Sequence, residues 1–157
     1  MTQRADDMEI IRLTADSPSE LFDAMAALDI SCFGDEGWSA NAFLSQACHP
    51  TGVVLAAFCG EDFAGLFAGF TASDTGEVLT IATVPEYRGK GVARALLTEF
   101  LRLVPEGTET IALEVRQSNT AAIGLYSSFG FEKAGVRKRF YRDPVEDADI
   151  MVLNCKG

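Results

Sequence analysis

Apolar positions along the chain switch repeatedly between a period of two and a helical period, and the switches mark out its elements. Alternation from Met8 to Leu13 predicts a first strand. Ser17-Pro18-Ser19-Glu20 then reads as a helix opening, with a capping hydroxyl and a proline near the first turn, and that helix runs to about Ser31. From Ser39 to Cys48, Ala40, Phe43, Leu44 and Ala47 recur at helical spacing behind Ser39 as a cap. An acidic loop, Gly34 to Trp38, separates the two helices and ends in the chain's only tryptophan. Val53 to Phe58 and Phe63 to Thr71 read as strands joined across Gly60-Glu61-Asp62, and Gly76 to Val84 reads as the next strand.

The second half continues in the same way. A helix from Gly91 to Val104 carries Val92, Ala95, Leu96, Phe100 and Leu103 on one face, and a strand follows from Thr110 to Arg116. In that strand Ile111, Leu113 and Val115 share a face, which turns Glu114 to the other. Asn119 caps a helix that runs to Phe129 and stops at Gly130. Tyr126 falls on the face of that helix shared with Ala122 and Phe129, a placement that equally suits a core tyrosine. Phe131 to Tyr141 and Asp147 to Asn154 close the chain as a hairpin across Asp143-Pro144. The resulting order is β-α-α-β-β-β-α-β-α-β-β.

One junction carries chemistry. Between the strand ending at Val84 and the helix from Gly91 lies a basic, glycine-punctuated turn. A helix start leaves backbone N–H groups without partners and carries roughly half a positive charge. Gly89 and Gly91 remove side-chain bulk there, Ala93 beside Val92 keeps the first helical turn small, and Arg88, Lys90 and Arg94 add charge, so the turn suits a diphosphate. Gly-x-Gly before a helix also suits an ordinary tight turn. A nucleoside-triphosphate loop needs Ser or Thr after its lysine, where Gly91 stands, and a dinucleotide fingerprint needs a third glycine where Arg94 stands.

Composition narrows the classes. A chain of 157 residues, 48% of them hydrophobic and only five proline, predicts one domain over 1–157 with a single core. Its first residues hold Arg4, Asp6, Asp7 and Glu9 with no apolar run, so neither a signal peptide nor a membrane span is expected, and a cytoplasmic location follows. Cys32, Cys48, Cys59 and Cys155 form no Cys-x-x-Cys pair and His49 stands alone, which argues against a metal site and for reduced, inert thiols, with Cys155 the most exposed of them. Charge is uneven. Up to Tyr87 two bases face fourteen acids, whereas from Arg88 onward eleven bases face nine acids. The acidic part disfavours nucleic acid, which needs Lys and Arg for its phosphates, and suits either plain solubility or a cationic substrate.

The pattern Arg88-x-x-Gly91-x-Ala93, with Val84 and Pro85 ahead of it, resembles the Gln/Arg-x-x-Gly-x-Gly/Ala element of the GNAT superfamily of N-acetyltransferases. The block from Leu113 to Tyr126, followed by Gly130-Phe131, resembles the bacterial RimI-type ribosomal-protein alanine N-acetyltransferases. Arg139-Phe140-Tyr141 and the strand Glu146 to Leu153 are similar to that family's paired aromatics and last strand. The resemblance is dense from about Val78 to Leu153; earlier it rests on Trp38-Ser39 and Phe43. Three positions depart from it: Arg88 replaces the usual glutamine, Ala93 a glycine, and Gly37 the proline that normally precedes Trp-Ser.

This resemblance implies an α+β GNAT fold, a mixed central sheet of about seven strands with helices on both faces. It implies acetyl-coenzyme A as co-substrate, with the backbone of Ile81, Ala82 and Thr83 pairing with the pantetheine arm where the strands Gly76 to Val84 and Thr110 to Arg116 splay apart. It gives Glu114 the general-base position, Tyr126 the general-acid position, and Asn119 a contact with the coenzyme besides its capping. The implied acceptor is a peptide N-terminus, such as that of a small-subunit ribosomal protein. Two other readings are a transferase for a small cationic amine, such as a polyamine or aminoglycoside, and a non-catalytic acyl-coenzyme-A-binding module. Retention of both Glu114 and Tyr126 counts against the module.

Overall fold

The computed structural model describes residues 8–155, and its elements follow the expected order: β1 Met8–Arg12, α1 Ser19–Phe33, α2 Ala40–Cys48, β2 Gly52–Cys59, β3 Asp62–Ala72, β4 Thr75–Thr83, α3 Val92–Leu103, β5 Thr110–Arg116, α4 Thr120–Ser128, β6 Glu132–Tyr141 and β7 Glu146–Asn154. Short 3-10 turns occupy Gly34–Glu36 and Pro85–Tyr87. Arg4, Asp6 and Asp7, three of the four charged residues at the start of the chain, lie outside the described residues. The strands form one seven-stranded sheet in the order β1-β2-β3-β4-β5-β7-β6. β4 and β5 pair in parallel and β1/β2, β2/β3, β5/β7 and β6/β7 pair antiparallel, so the sheet is mixed. The parallel ladder covers Thr75↔Thr110, Gly76↔Ile111 and Glu77↔Ala112.

The chain groups into two compact units, one of residues up to Phe70 with Thr80–Leu103, the other of Thr71–Leu79 with the residues from Val104 onward. In the first, β2 and β3 are buried almost end to end, as strands covered on both faces must be. One face meets Phe22, Met25 and Leu28 of α1 and Phe43 of α2. The other meets α3, where Phe100 packs on Phe67 at 4.7 Å between ring centroids. Gly65 is what lets α3 come this close: a Cβ there would stand 2.7 Å from Val92 Cγ1 and 2.9 Å from the Ala82 carbonyl oxygen.

Three details differ from expectation. The hydroxyl expected to cap α1 does other work, because Ser17 Oγ accepts from the Thr14 N–H at 2.9 Å and Pro18 takes the cap position without a side-chain bond. The helix also runs past Ser31 to Phe33, since Cys32 and Phe33 still have the core to pack against, and stops where Gly34 turns to φ +62°. In α3 the fully buried stripe is Val92, Leu96, Leu97 and Phe100, with Leu97 in place of the expected Ala95 and Leu103. No helix among the described residues is long and apolar enough to cross a membrane.

In the second unit β5 alternates as its sequence demands, burying Ile111, Leu113 and Val115. Leu113 lies opposite Met151 of β7, and Tyr126 of α4 packs on Phe131 with ring centroids 5.8 Å apart. Arg116 braces the closing hairpin. Its guanidinium donates to the carbonyls of Pro144 at 3.0 Å and Arg142 at 2.9 Å, pairs with Glu146 at 3.2 Å, and lies 4.5 Å above the Tyr141 ring.

Candidate functional site

In the first unit the expected coenzyme-binding residues other than Asn119 run from the end of β4 into the head of α3. Ala82 is buried in the core, while Ile81 and Thr83 alternate to the less covered side. Beyond the 3-10 turn the backbone passes through two left-handed residues, Gly89 at φ +77° and Gly91 at φ +87°. Gly91 then accepts the first helical bond, from the Ala95 N–H at 2.9 Å. The next N–H groups, of Val92 and Ala93, stand in the first turn, where a helix offers them no internal acceptor. A Cβ at Gly89 or Gly91 would meet no other atom within 4 Å, so the turn faces open space and its residues fit a diphosphate. Side chains stiffen it from outside. The Tyr87 hydroxyl donates to Asp62 Oδ2 at 2.6 Å, the Lys90 ammonium sits 5.6 Å from the Tyr87 ring centroid, and Arg88 reaches Cys32 Sγ at 3.7 Å. The short bond to Asp62 pushes the Tyr87 phenol up to about 12.

In the second unit Glu114 stands on the less buried face of β5, as the alternation requires. It is not an isolated carboxylate: Oε1 lies 3.2 Å from Nε of Arg137 on β6. Tyr126 is 5% exposed, and burial, helped by the neighbouring Tyr141, pushes its phenol well above the usual tyrosine range. The phenol therefore stays protonated through neutral pH and can only donate its proton there. Its hydroxyl makes no hydrogen bond to another described residue, and Glu114 and Tyr126 do not bond to each other. Asn119 caps α4, its Oδ1 accepting from the Ala122 N–H at 3.1 Å. Ahead of it Glu146 takes the Ser118 N–H at 2.6 Å and the Ser118 hydroxyl at 3.0 Å, which holds its carboxyl below the usual range and fixes the entry to α4.

Several of these partners escaped the sequence reading. Asp29 is 1% exposed in the middle of α1. One carboxylate oxygen accepts from the Trp38 N–H and the other from the Thr80 hydroxyl, each at 2.7 Å. Burial raises its carboxyl, and the two bonds, Thr80's first, pull it back down. Its only signal was an acid on the helix face of Phe22, Met25 and Leu28. Glu77 and Arg137, both close to Glu114, showed only as charges on alternating strand positions. All four cysteines are free, Cys59 buried and Cys48 and Cys155 exposed. Among the described residues no group of three or more His, Cys, Asp or Glu is placed to hold a metal ion.

The mixed seven-stranded sheet, with a turn through Gly89 and Gly91 leading from β4 into α3, has the architecture that the sequence resemblance implied. The sequence model of the acetyltransferase (GNAT) family matches residues 19–131, and the chain belongs to that family. It is similar to the N-alpha-acetyltransferase RimI of Mycobacterium tuberculosis, 37% identical over 132 residues that make up 80% of this chain and 82% of that protein. An uncharacterized protein of Mycobacterium leprae is 37% identical over 152 residues, and the chain, 94% of it aligned, spans only 41% of that relative's length. Among solved structures, the ribosomal-protein-S18-alanine N-acetyltransferase of Escherichia coli superposes with a TM-score of 0.79 at 30% identity, over 94% of this chain and 93% of that one.

Proposed function

We propose that this chain is an acetyl-coenzyme-A-dependent N-acetyltransferase whose acceptor is the α-amine of a protein N-terminus, a ribosomal protein among the candidates. The observation that carries the proposal is the likeness, over about four-fifths of both chains, to a protein named an N-alpha-acetyltransferase. The E. coli structure named for its action on ribosomal protein S18 supports the same class of acceptor. In this proposal residues 1–157 work as one acetyltransferase domain.

Acetyl-coenzyme A, when bound, supplies the acetyl group as a thioester. The diphosphate is held by the turn from Arg88 through Gly89, Lys90 and Gly91 to Val92, Ala93 and Arg94, whose glycines leave backbone N–H groups approachable. Backbone groups of Ile81, Ala82 and Thr83 bond the pantetheine arm, and Asn119 adds a contact while still capping α4. Glu114 takes the proton that the amine sheds as its nitrogen bonds to the acetyl carbon. Tyr126 gives its proton to the sulfur as the carbon–sulfur bond breaks, then recovers one from solvent. Both transfers lower the barrier by keeping charge from building on nitrogen and sulfur.

The test is turnover of Tyr126→Phe with acetyl-coenzyme A and a peptide beginning with alanine. The hydroxyl holds no described residue, so melting temperature should stay near that of the parent while kcat falls about 100-fold or more. Unchanged kcat in a folded variant removes Tyr126 from the chemistry.

A further inference from the structure

Three strands bring a second carboxylate and a guanidinium to Glu114. Across the antiparallel ladders Arg137 lies opposite Ala148 and Ala148 opposite Arg116, while Glu114 lies opposite Ile150, the next row on the same face. Diagonal neighbours on one face are within reach of long side chains, and Arg137 uses that diagonal to bring Nε to 3.2 Å from Glu114. From the other side the parallel ladder sets Glu77 opposite Ala112, and Glu114 is the next residue of β5 on that face. Glu77 feels both of the others: burial and then Glu114 push its carboxyl up, and Arg137 pulls it down. Among the described residues, Arg116 and Glu146 near this face are paired with each other at 3.2 Å, and Glu132 of β6 lies opposite Val152, in the row of Ala112 and Glu77.

We propose that Glu77 and Arg137 are positioning residues for Glu114 with opposite effects. The guanidinium fixes the direction of the Glu114 carboxylate, and Glu77 sets a second negative charge on the same face of the sheet beside that pair. A carboxylate held by a guanidinium alone is a poor proton acceptor, and a like charge beside it restores basicity. The inference rests on the reading of Glu114 as general base.

The experiment is kcat against pH at saturating acetyl-coenzyme A and peptide, for the parent, Glu77→Gln and Arg137→Gln, with Glu77→Asp and Arg137→Lys as charge-conserving partners. Glu114 must be ionised to act. Loss of Arg137 makes ionisation harder, so the acid limb moves to higher pH; loss of Glu77 makes it easier, so the limb moves to lower pH and the plateau rate falls. Each shift should be about half a pH unit to one unit. The charge-conserving variants should keep the parent's limb. The acetyl-coenzyme-A-induced rise in melting temperature should be the same in all five proteins, since none of these residues binds the coenzyme. An active parent whose two neutral variants show unmoved limbs, or limbs moved in the same direction, overturns the inference and leaves the transferase reading intact. A parent that acetylates no amine overturns that reading and the inference with it.

Discussion

Asp29 shows what a single residue can do for a site it is not part of. Its carboxylate is buried in α1 and joins the Trp38 backbone to the Thr80 hydroxyl of β4, one residue before the strand backbone that is proposed to bond the pantetheine arm. Leaving either partner unmatched exposes a buried charge to an apolar surround, which costs about 1 to 3 kcal/mol. Thr80→Val keeps the shape and removes one donor to the ionised form. The loss of stability should therefore be largest near neutrality and should shrink as pH falls and Asp29 protonates. Denaturant unfolding at several pH values reads this directly; a loss independent of pH contradicts the role given to the carboxylate. Asp29 was not legible in the sequence because an acid on an apolar helix face looks like an exposed position until its partners, nine and fifty-one residues away, are in place. Glu114 was legible, since strand alternation fixes its face, but Arg137 was not, because reaching it depends on the register of two ladders.

At the level of elements, the proposed coenzyme turn depends on two kinds of glycine. Gly91 is needed for its backbone, at φ +87°, and the space over it is open. Acetyl-coenzyme A should raise the melting temperature because it binds the folded form alone. Gly91→Val should remove most of that rise, both by crowding the diphosphate and by straining the turn by about 1 to 2 kcal/mol. A folded Gly91→Val that responds to acetyl-coenzyme A like the parent contradicts the assignment. Gly65 is needed for the opposite reason, lack of room. Gly65→Ala should destabilise by about 1 to 3 kcal/mol, as overpacking does, by forcing Val92 and the start of α3 off β3. Calorimetry decides, and no loss there would mean α3 shifts freely. The Gly89-x-Gly91 turn could be read from sequence because loop, helix and charge coincide within a few residues. Gly65 could not, because its reason lies in a helix packed against its strand. Element order and most boundaries were legible for the same local reason, and the missed cap of α1 marks the limit: Ser17 looks like a cap until Thr14 claims it.

Over the whole molecule, the acceptor is the central claim, and proton energetics separate the candidates. An α-amine with a pKa near 7.8 costs about 1.1 kcal/mol to deprotonate at pH 7, whereas a lysine near 10.4 costs about 4.6 kcal/mol. One carboxylate base suits the first far better. The acidic excess up to Tyr87, fourteen acids against two bases, should draw in peptides with basic residues beyond their first few positions, and that gain should fade as salt rises. The most direct measurement gives the protein acetyl-coenzyme A and two versions of one short peptide beginning with alanine, one with its α-amine free, the other with that amine blocked and a lysine free. Mass spectrometry then locates the acetyl group. Faster turnover of the first peptide, with the label on its N-terminal nitrogen, is the expected result; modification of lysine alone, or turnover of polyamines with none of either peptide, would contradict the proposed acceptor.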